Sequence, residues 1–131
     1  MLRVAETRDT LRVVADQHGT PTYAPDIAEG IVAVARRLAS AGNTPVGVFH
    51  MVSSGETTWA GFAEEIFRQS KALGGVHAAV EPIGTEDYPT PACRPANSRL
   101  DTARFTSVFG TRLPEWESGV AQCLKALGQT D

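Results

Sequence analysis

The chain has 131 residues, the length of one domain, and 42% of them are hydrophobic, which is enough to bury a core. Its net charge of −3, without any cluster of lysine and arginine, argues against nucleic acid as a partner. No apolar run approaches the ~20 residues of a membrane helix, and the N-terminus lacks the basic-then-apolar order of a signal peptide. No membrane partner is therefore indicated, and a cytoplasmic location is expected.

The first third of the chain predicts the end of a helix, a strand and a long helix. Residues 1–9 have the pattern of the last turns of a helix, and residues 11–15 form a β-type run. Gly19 is expected to supply the positive φ of the turn that follows. A helix is predicted to begin at Pro25 and to end at Gly42, because apolar residues recur at helical spacing between them.

Residues 46–52 form a mostly apolar run bounded by Pro45 and a serine-glycine segment. Such a run is typical of a strand buried on both faces, and therefore of a parallel sheet covered by helices. His50 lies inside the run. A lone histidine in an apolar strand is more often a packed core residue than a ligand or a base, so we place it in the core.

A second helix and another strand follow. Thr57 or Thr58 is expected to cap the helix, which ends at the glycine pair 74–75. The apolar face of this helix comprises Trp59, Phe62, Ala63, Ile66, Phe67 and Leu73. Residues 78–83 predict a short strand, and Pro82 places it at a sheet edge because proline cannot donate a ladder hydrogen bond.

Two helices close the chain. Asp101 and Thr102 are expected to cap the first, which ends at Gly110, and Pro114 is expected to open the second. The predicted order is β-α-β-α-β followed by two helices, without a repeat or a linker. This order indicates a single α/β unit over residues 1–131.

The proline-rich loop, residues 88–101, holds three of the eight prolines. Each proline fixes its own φ and biases the preceding residue toward extended backbone, which predicts a stiff loop. Such a loop presents side chains to a ligand at little ordering cost, and Arg94 carries the group best suited to an anion. Composition alone favours a plainer interpretation, in which the loop is a connector with solvated arginines.

A complete set of catalytic residues is missing from the sequence. No glycine-rich dinucleotide or phosphate loop follows a predicted strand, and the three histidines are not spaced to gather a metal. Neither tyrosine begins a Tyr-x-x-x-Lys motif, because Ile27 and Ala92 stand where the lysine would be. Cys93 and Cys123 lie far apart, which fits two reduced thiols.

Three segments carry a family resemblance when they are considered together. Residues 14–22, 49–59 and 88–101 read Val-Ala-Asp-Gln-His-Gly-Thr-Pro-Thr, Phe-His-Met-Val-Ser-Ser-Gly-Glu-Thr-Thr-Trp and Tyr-Pro-Thr-Pro-Ala-Cys-Arg-Pro-Ala-Asn-Ser-Arg-Leu-Asp. They resemble the carboxy-terminal part of the dTDP-4-dehydrorhamnose reductases, which are extended short-chain dehydrogenase/reductases. The resemblance implies a small α/β substrate-binding domain without the amino-terminal Rossmann portion. It also implies NADPH-dependent reduction of dTDP-4-dehydro-L-rhamnose to dTDP-L-rhamnose.

The resemblance further implies which groups this chain lacks. In the family, the glycine-rich cofactor loop and the catalytic Tyr-x-x-x-Lys belong to the Rossmann portion, which would precede Met1. We therefore expect no catalytic residue, no bound cofactor and no activity in this chain alone. Residues 46–52 are expected to join the Rossmann sheet or to pair with another copy, giving a homo-oligomer. Some members bind Mg²⁺ through an acidic residue where this chain has Pro25, with Asp26 beside it, so no metal is predicted.

Carried over position by position, the resemblance places Arg94 on the diphosphate of a dTDP-sugar, because a guanidinium stays charged and chelates phosphate oxygens. Asn97 and Ser98 are implied as its hydrogen-bonding neighbours. Asp16 and Gln17 match the family's Asp-Gln-x-Gly-x-Pro-Thr segment. For these two residues, bordering the same pocket and holding the following turn are both open.

A function of a different class also stays open, because some reductase-like chains serve as regulatory subunits. In that interpretation the chain is a non-catalytic interaction module. Rescue of NADPH oxidation by a separate Rossmann portion favours the reductase hypothesis. Capture of an unrelated enzyme without such rescue favours the interaction module.

Arg99, a weaker site candidate, is expected to pair with Asp101.

Overall fold

The computed structural model describes residues 1–40, 42 and 44–128. In chain order its elements are α1 (Leu2–Ala5), β1 (Thr10–Val14), β2 (His18–Gly19), α2 (Ala24–Ser40), β3 (Thr57–Thr58), α3 (Trp59–Ala72), β4 (Ala79–Ile83), a 3₁₀ turn (Thr85–Asp87), α4 (Ala103–Phe109) and α5 (Trp116–Ala126). The predicted α/β class is confirmed. Within the described ranges, no helix combines the length and the apolar character needed to cross a bilayer.

The longer of two small sheets joins the first and the last strand. β1 and β4 pair in parallel, from Thr10 opposite Ala79 to Val14 opposite Ile83. Val14 and Ile83 are buried, so the C-terminal end of this pair points its side chains into the protein. Pro82 lies in β4, and in the described part of the chain that strand has β1 as its only partner. The predicted edge strand is therefore confirmed.

The shorter sheet pairs β2 with β3 in antiparallel orientation, with His18 opposite Thr58 and Gly19 opposite Thr57. Gly19 is thus part of a strand, and the predicted turn with a positive φ at this residue is wrong. Pairing with β3 keeps the backbone extended there. A Cβ at this position would lie 2.9 Å from the Ser98 hydroxyl, so glycine permits a close approach between two segments.

Helix α3 lies at the centre of the core. Ala63 and Phe67 on its inner face form one buried cluster with Ala5, against which side chains of β1 and β4 pack. A second buried cluster belongs to α5 and comprises Trp116, Val120 and Leu124. Leu2 and Ile66 pack against both clusters, so α1 and α3 join them into one core.

The start of α3 is fixed by the two threonines that precede it. The Thr58 hydroxyl accepts a hydrogen bond of 3.2 Å from the backbone N–H of Gly61, which confirms the predicted cap. A Cβ on Gly61 would collide with the Thr57 hydroxyl. Glycine therefore lets the first turn of α3 lie close against β3, and this packing sets the position of Trp59.

The predicted buried strand at residues 46–52 is wrong, because this segment contains no regular element. Val46 and Val48 are 79% and 73% exposed. Gly47 between them has a φ of +119°, which interrupts an extended backbone. His50 is exposed, so its predicted place in the core is wrong as well.

The side chain of Arg104 on α4 holds this segment in place. Its guanidinium donates hydrogen bonds to the carbonyl oxygens of Val46 and Val48, at 3.0 and 3.2 Å. It also lies 4.5 Å from the centre of the Phe49 ring, the arrangement of a cation–π contact. A side chain thus bonds two carbonyl groups that a neighbouring strand would otherwise pair.

Helix α2 follows its prediction in extent but not in packing. It ends at Ser40, two residues before the predicted Gly42. Asp26 and Gly30 are buried, whereas Ile31 on the predicted apolar face is 56% exposed. The apolar spacing therefore predicted the helix correctly. It did not predict which side chains of the helix are buried against the rest of the chain.

The two C-terminal helices agree with their local signals. The Asp101 carboxylate accepts a hydrogen bond of 2.8 Å from the Ala103 backbone at the start of α4. Gly110, with a φ of +67°, ends α4 in the left-handed conformation. Helix α5 begins at Trp116, two residues after Pro114. All three predicted boundaries are confirmed within two residues.

Candidate ligand-binding site

Three segments that are far apart in sequence enclose a cavity of about 440 Å³. They are residues 17–22, residues 57–62 and residues 94–98 of the proline-rich loop. The lining residues are Gln17, His18, Gly19, Thr20, Pro21, Thr22, Thr57, Thr58, Trp59, Phe62, Arg94, Pro95 and Ser98. The fold thus brings together parts of the three segments that carry the family resemblance.

The backbone of His18 connects these segments. On one side it pairs with Thr58 of β3. On the other, its N–H donates to the Ala96 carbonyl at 2.8 Å, and its carbonyl accepts from the Ser98 N–H at 2.9 Å. The Ser98 hydroxyl donates to the same carbonyl at 3.0 Å. The proline-rich loop is therefore held against β2 by strand-like hydrogen bonds.

A second connection joins the proline-rich loop to the segment before β3. Arg99 Nη1 donates to both carboxylate oxygens of Glu56 at 2.7 and 2.6 Å, and Arg99 Nε donates to Asn97 Oδ1 at 2.9 Å. The hydrogen bond from Arg99 lowers the pKa of the Glu56 carboxyl group. The predicted pair between Arg99 and Asp101 is wrong, because Arg99 bonds Glu56 and Asp101 accepts from the start of α4.

Arg94 lies in the cavity wall with its side chain exposed. Among the residues that the structure describes, none forms a hydrogen bond or an ion pair with its guanidinium. Pro95 follows it directly and restricts the backbone at Arg94 to extended conformations. The cavity wall therefore carries a guanidinium without a partner among the described residues, the group that best matches the paired oxygens of a phosphate.

Trp59 supplies a flat aromatic surface to the cavity, and 48% of its area is exposed. Its ring meets Phe62 edge to face at 6.4 Å, and Phe62 meets the buried Trp116 in the same way at 6.0 Å. A chain of aromatic contacts thus joins the cavity wall to the core. The predicted place of Trp59 on the buried face of α3 is therefore wrong. Its position directly after the cap at Thr58 was a signal that its side chain lies toward the preceding strand, β3.

The sequence-predicted site residues are divided by the structure. Gln17, Arg94 and Ser98 line the cavity, whereas Asp16 and Asn97 lie outside its lining. Asn97 is used instead to accept hydrogen bonds from the backbone and the side chain of Arg99. Ser98 both lines the cavity and bonds His18, so its hydroxyl oxygen keeps free acceptor capacity for a ligand.

Asp16 connects the end of β1 to the 3₁₀ turn that precedes the proline-rich loop. Its carboxylate accepts a hydrogen bond of 2.6 Å from the Thr85 hydroxyl and one of 2.9 Å from the Thr85 N–H. Gln17 Nε2 donates to the same hydroxyl at 3.0 Å. Hydrogen bonding from the Thr85 side chain, and then from its backbone, lowers the pKa of Asp16. The geometry favours a structural role for Asp16, holding the entry of the loop.

Protonation of Asp16 is expected to break this connection. Because its folded-state pKa is lowered, the stabilisation is fully present above the unfolded-state pKa and is lost as the pH falls through the folded-state pKa, below the ordinary value of 3.8. The Thr85 amide resonance should follow this change in an NMR pH titration, with a midpoint under 3.8. Asp16→Asn should remove the titration, and a midpoint at or above the ordinary value would contradict the assignment.

Other groups that could bind or react are sparse. In the described ranges, no three His, Cys, Asp or Glu side chains are grouped so that they could hold a metal ion. Cys93 and Cys123 are free and exposed, which confirms the two unpaired thiols. Asp26 is buried in the first turn of α2, and its Oδ2 has no hydrogen-bond partner among the described residues. The cavity thus offers binding groups, namely an aromatic face, a guanidinium and hydroxyls.

Comparison with known proteins identifies relatives over nearly the whole chain. A dTDP-4-dehydrorhamnose reductase of Sinorhizobium fredii is 44% identical over 128 residues, which are 97% of this chain and 43% of that protein. A crystal structure of a dTDP-4-dehydrorhamnose reductase from Clostridium acetobutylicum matches with a TM-score of 0.82 and 33% identity, covering 96% of this chain and 41% of that one. A Bacillus anthracis dTDP-4-dehydrorhamnose reductase, solved in complex with NADP, matches with a TM-score of 0.77 and 27% identity, covering 95% and 41%.

The chain therefore spans less than half the length of the relatives that it matches. The model of one protein family, described as the RmlD substrate binding domain, matches residues 1–129. That match covers almost every residue, and it includes the three segments around the cavity. The chain belongs to the RmlD substrate binding domain family.

Proposed function

We propose that this chain is the substrate-binding part of an NADPH-dependent dTDP-4-dehydrorhamnose reductase, which converts dTDP-4-dehydro-L-rhamnose to dTDP-L-rhamnose. The observation that carries the proposal is the exposed ring of Trp59 and the free guanidinium of Arg94 in one cavity. A thymine base matches the aromatic face, and a diphosphate matches the guanidinium. In this proposal, residues 1–131 act as one carboxy-terminal nucleotide-sugar-binding domain.

The remaining site residues take two kinds of role in the proposal. Gln17 and Ser98 line the cavity and offer polar atoms to the nucleotide. Asp16 and Asn97 lie outside the lining and act by positioning, the first through Thr85 and the second through Arg99. The division predicts that a change at a lining residue alters ligand contacts directly, whereas a change at a positioning residue alters the loop first.

NADPH is the proposed cofactor of the whole reductase, supported by the NADP complex of the Bacillus anthracis relative. The described residues do not fit a dinucleotide. A dinucleotide-binding turn leads from a parallel strand through glycines into the N-terminus of a helix. Here the parallel strand β1 is followed by residues 15–17 and then by β2. We therefore assign hydride and proton transfer to a Rossmann portion of the whole protein and propose that this chain alone is inactive.

Self-association and a cytoplasmic location belong to the same proposal. Val46, Val48 and Ile31 give the chain exposed apolar surface of the kind that partners cover. Light scattering of the chain alone, and of the chain together with the Rossmann portion, measures whether this surface pairs with that portion or with another copy. The free, exposed Cys93 and Cys123 fit a reducing compartment.

Isothermal titration of the chain with dTDP tests the proposal. Saturable binding is expected, and Trp59→Ala should weaken it about tenfold to a hundredfold, because stacking of a base on an aromatic ring contributes about 1–3 kcal/mol. Tyr88→Ala is a matched control, since Tyr88 is also an exposed aromatic residue but does not line the cavity. Absence of saturable dTDP binding to the parent chain would overturn the proposal.

A further inference from the structure

Only the backbone of His18 takes part in the hydrogen bonds that join the cavity segments, with β3 on one side and with Ala96 and Ser98 on the other. Its imidazole ring makes no hydrogen bond within the described part of the chain. The residue is exposed, and it lines the cavity together with Arg94. The backbone bonds therefore fix the position of His18, while its ring nitrogens remain open to solvent or to a ligand.

Four other charged side chains belong to the cavity segments or directly adjoin them. Asp16 lies two residues before His18, and Glu56 directly precedes β3. Arg94 and Arg99 lie at the two ends of the part of the proline-rich loop that pairs with β2. The cavity segments contain no further charged side chain. Two negative and two positive charges thus balance, and the charge of His18 decides whether the whole group is neutral or positive.

Both carboxylates are close enough to respond to the charge of the His18 ring. Hydrogen bonds from Thr85 lower the pKa of Asp16, and the positive charge of a protonated His18 adds a smaller lowering. The hydrogen bond from Arg99 lowers the pKa of Glu56, again with a smaller lowering from His18. Both carboxyl groups, whose ordinary pKa values are 3.8 and 4.5, therefore keep their charge between about pH 5 and 8, the range in which histidine side chains titrate.

We propose that protonation of His18 adds a second cation to the cavity wall beside that of Arg94, and that it tightens the binding of an anionic nucleotide as the pH falls. The inference rests on the proposed function, which places the diphosphate of a dTDP-sugar in this cavity. A neutral ring leaves the surrounding charges balanced. A protonated ring leaves one net positive charge, and both of its nitrogens then donate hydrogen bonds to phosphate oxygens.

Isothermal titration of the 131-residue chain with dTDP-L-rhamnose tests the proposal at about pH 5.5 and at about pH 7.5, below and above the ordinary pKa of a histidine. Each phosphate of this ligand is esterified to a sugar, so the ligand has the same charge at both pH values. Free dTDP is a poorer probe, because a terminal phosphate itself titrates near about pH 6. The parent should bind about threefold to fivefold more tightly at the lower pH, the gain expected from one added ion pair at an exposed site.

Two substitutions at this position separate the charge of the ring from its other contacts. His18→Gln keeps a polar side chain without a titrating group, so it should bind dTDP-L-rhamnose with the same affinity at both pH values. His18→Arg carries a permanent charge, so it should bind at both pH values about as tightly as the parent does at the lower one. His77→Gln is the matched control, because His77 is also exposed but does not line the cavity, and it should keep the pH dependence of the parent.

The outcomes separate this inference from the proposed function. If the parent binds dTDP-L-rhamnose equally well at both pH values, or if His18→Gln keeps the pH dependence of the parent, the role of His18 is wrong and the proposed function stands. Failure of the parent to bind at either pH overturns both. If His18→Gln does not fold, His18→Arg gives the second test, because pH dependence that persists in this variant also overturns the role of His18.

Discussion

Replacement of Leu124 by alanine is expected to lower the free energy of unfolding by about 2–5 kcal/mol, the usual cost of truncating a buried leucine. Leu124 is 2% exposed and belongs to the buried cluster of α5, together with Trp116 and Val120. Phe62 packs against the same cluster and also lines the ligand cavity. The loss of stability should therefore be accompanied by a less rigid cavity wall. Urea unfolding followed by circular dichroism measures the effect.

The same helix provides the control. Leu127 caps the C-terminus of α5 and is 61% exposed, so Leu127→Ala should change the free energy of unfolding by less than about 0.5 kcal/mol. The two variants remove the same atoms three residues apart. If they destabilised the protein equally, α5 would not be packed against α3 as the structure shows.

Arg94→Ala is expected to reduce the affinity for dTDP about tenfold to a hundredfold, because hydrogen bonds to charged groups contribute about 1.5–3 kcal/mol each. The effect should be large because the Arg94 guanidinium has no competing partner in the described part of the chain. Arg94→Lys should recover only part of the affinity, since an ammonium group keeps the charge but not the planar pair of donors. Isothermal titration at two salt concentrations measures both changes.

Arg37→Ala removes the same charge from the last turn of α2, where the side chain is exposed and lines no cavity. It should leave dTDP binding within a factor of two. An Arg94→Ala variant that binds dTDP as tightly as the parent would remove the phosphate role of this residue, whatever the control shows.

The helices could be predicted because their signals are local. Thr58 caps α3 through a bond to a residue three positions ahead, and Gly110 ends α4 with a positive φ that glycine adopts without strain. The structure of the segment at 46–52 could not be predicted in this way. An apolar run has the same composition whether it forms a buried strand or an exposed segment that a distant side chain holds in place. Arg104, which holds it, lies 56 and 58 positions away from its partners.

The candidate site was predictable only in part, for a similar reason. The residue types and order around Arg94 indicated an anion site, and the structure places Arg94 in the cavity wall. The partner of Arg99 is Glu56, 43 positions away, and no local pattern distinguishes it from the nearby Asp101. Trp59 follows a helical apolar pattern, yet its position at the first residue of α3 leaves its ring half exposed. Contacts between distant segments decide both the partner of Arg99 and the exposure of Trp59.

The hydrogen bonds from His18 to Ala96 and Ser98 set a limit on how the length of the proline-rich loop can change. Residues 85–101 are all exposed, which ordinarily marks a place where insertions and deletions are tolerated. Here one residue added between Arg94 and Ser98 would shift the pairing by one position and turn alternate side chains to the opposite side. The cavity therefore depends on the spacing from Arg94 to Ser98, and a designer who transplants this site must keep that spacing unchanged.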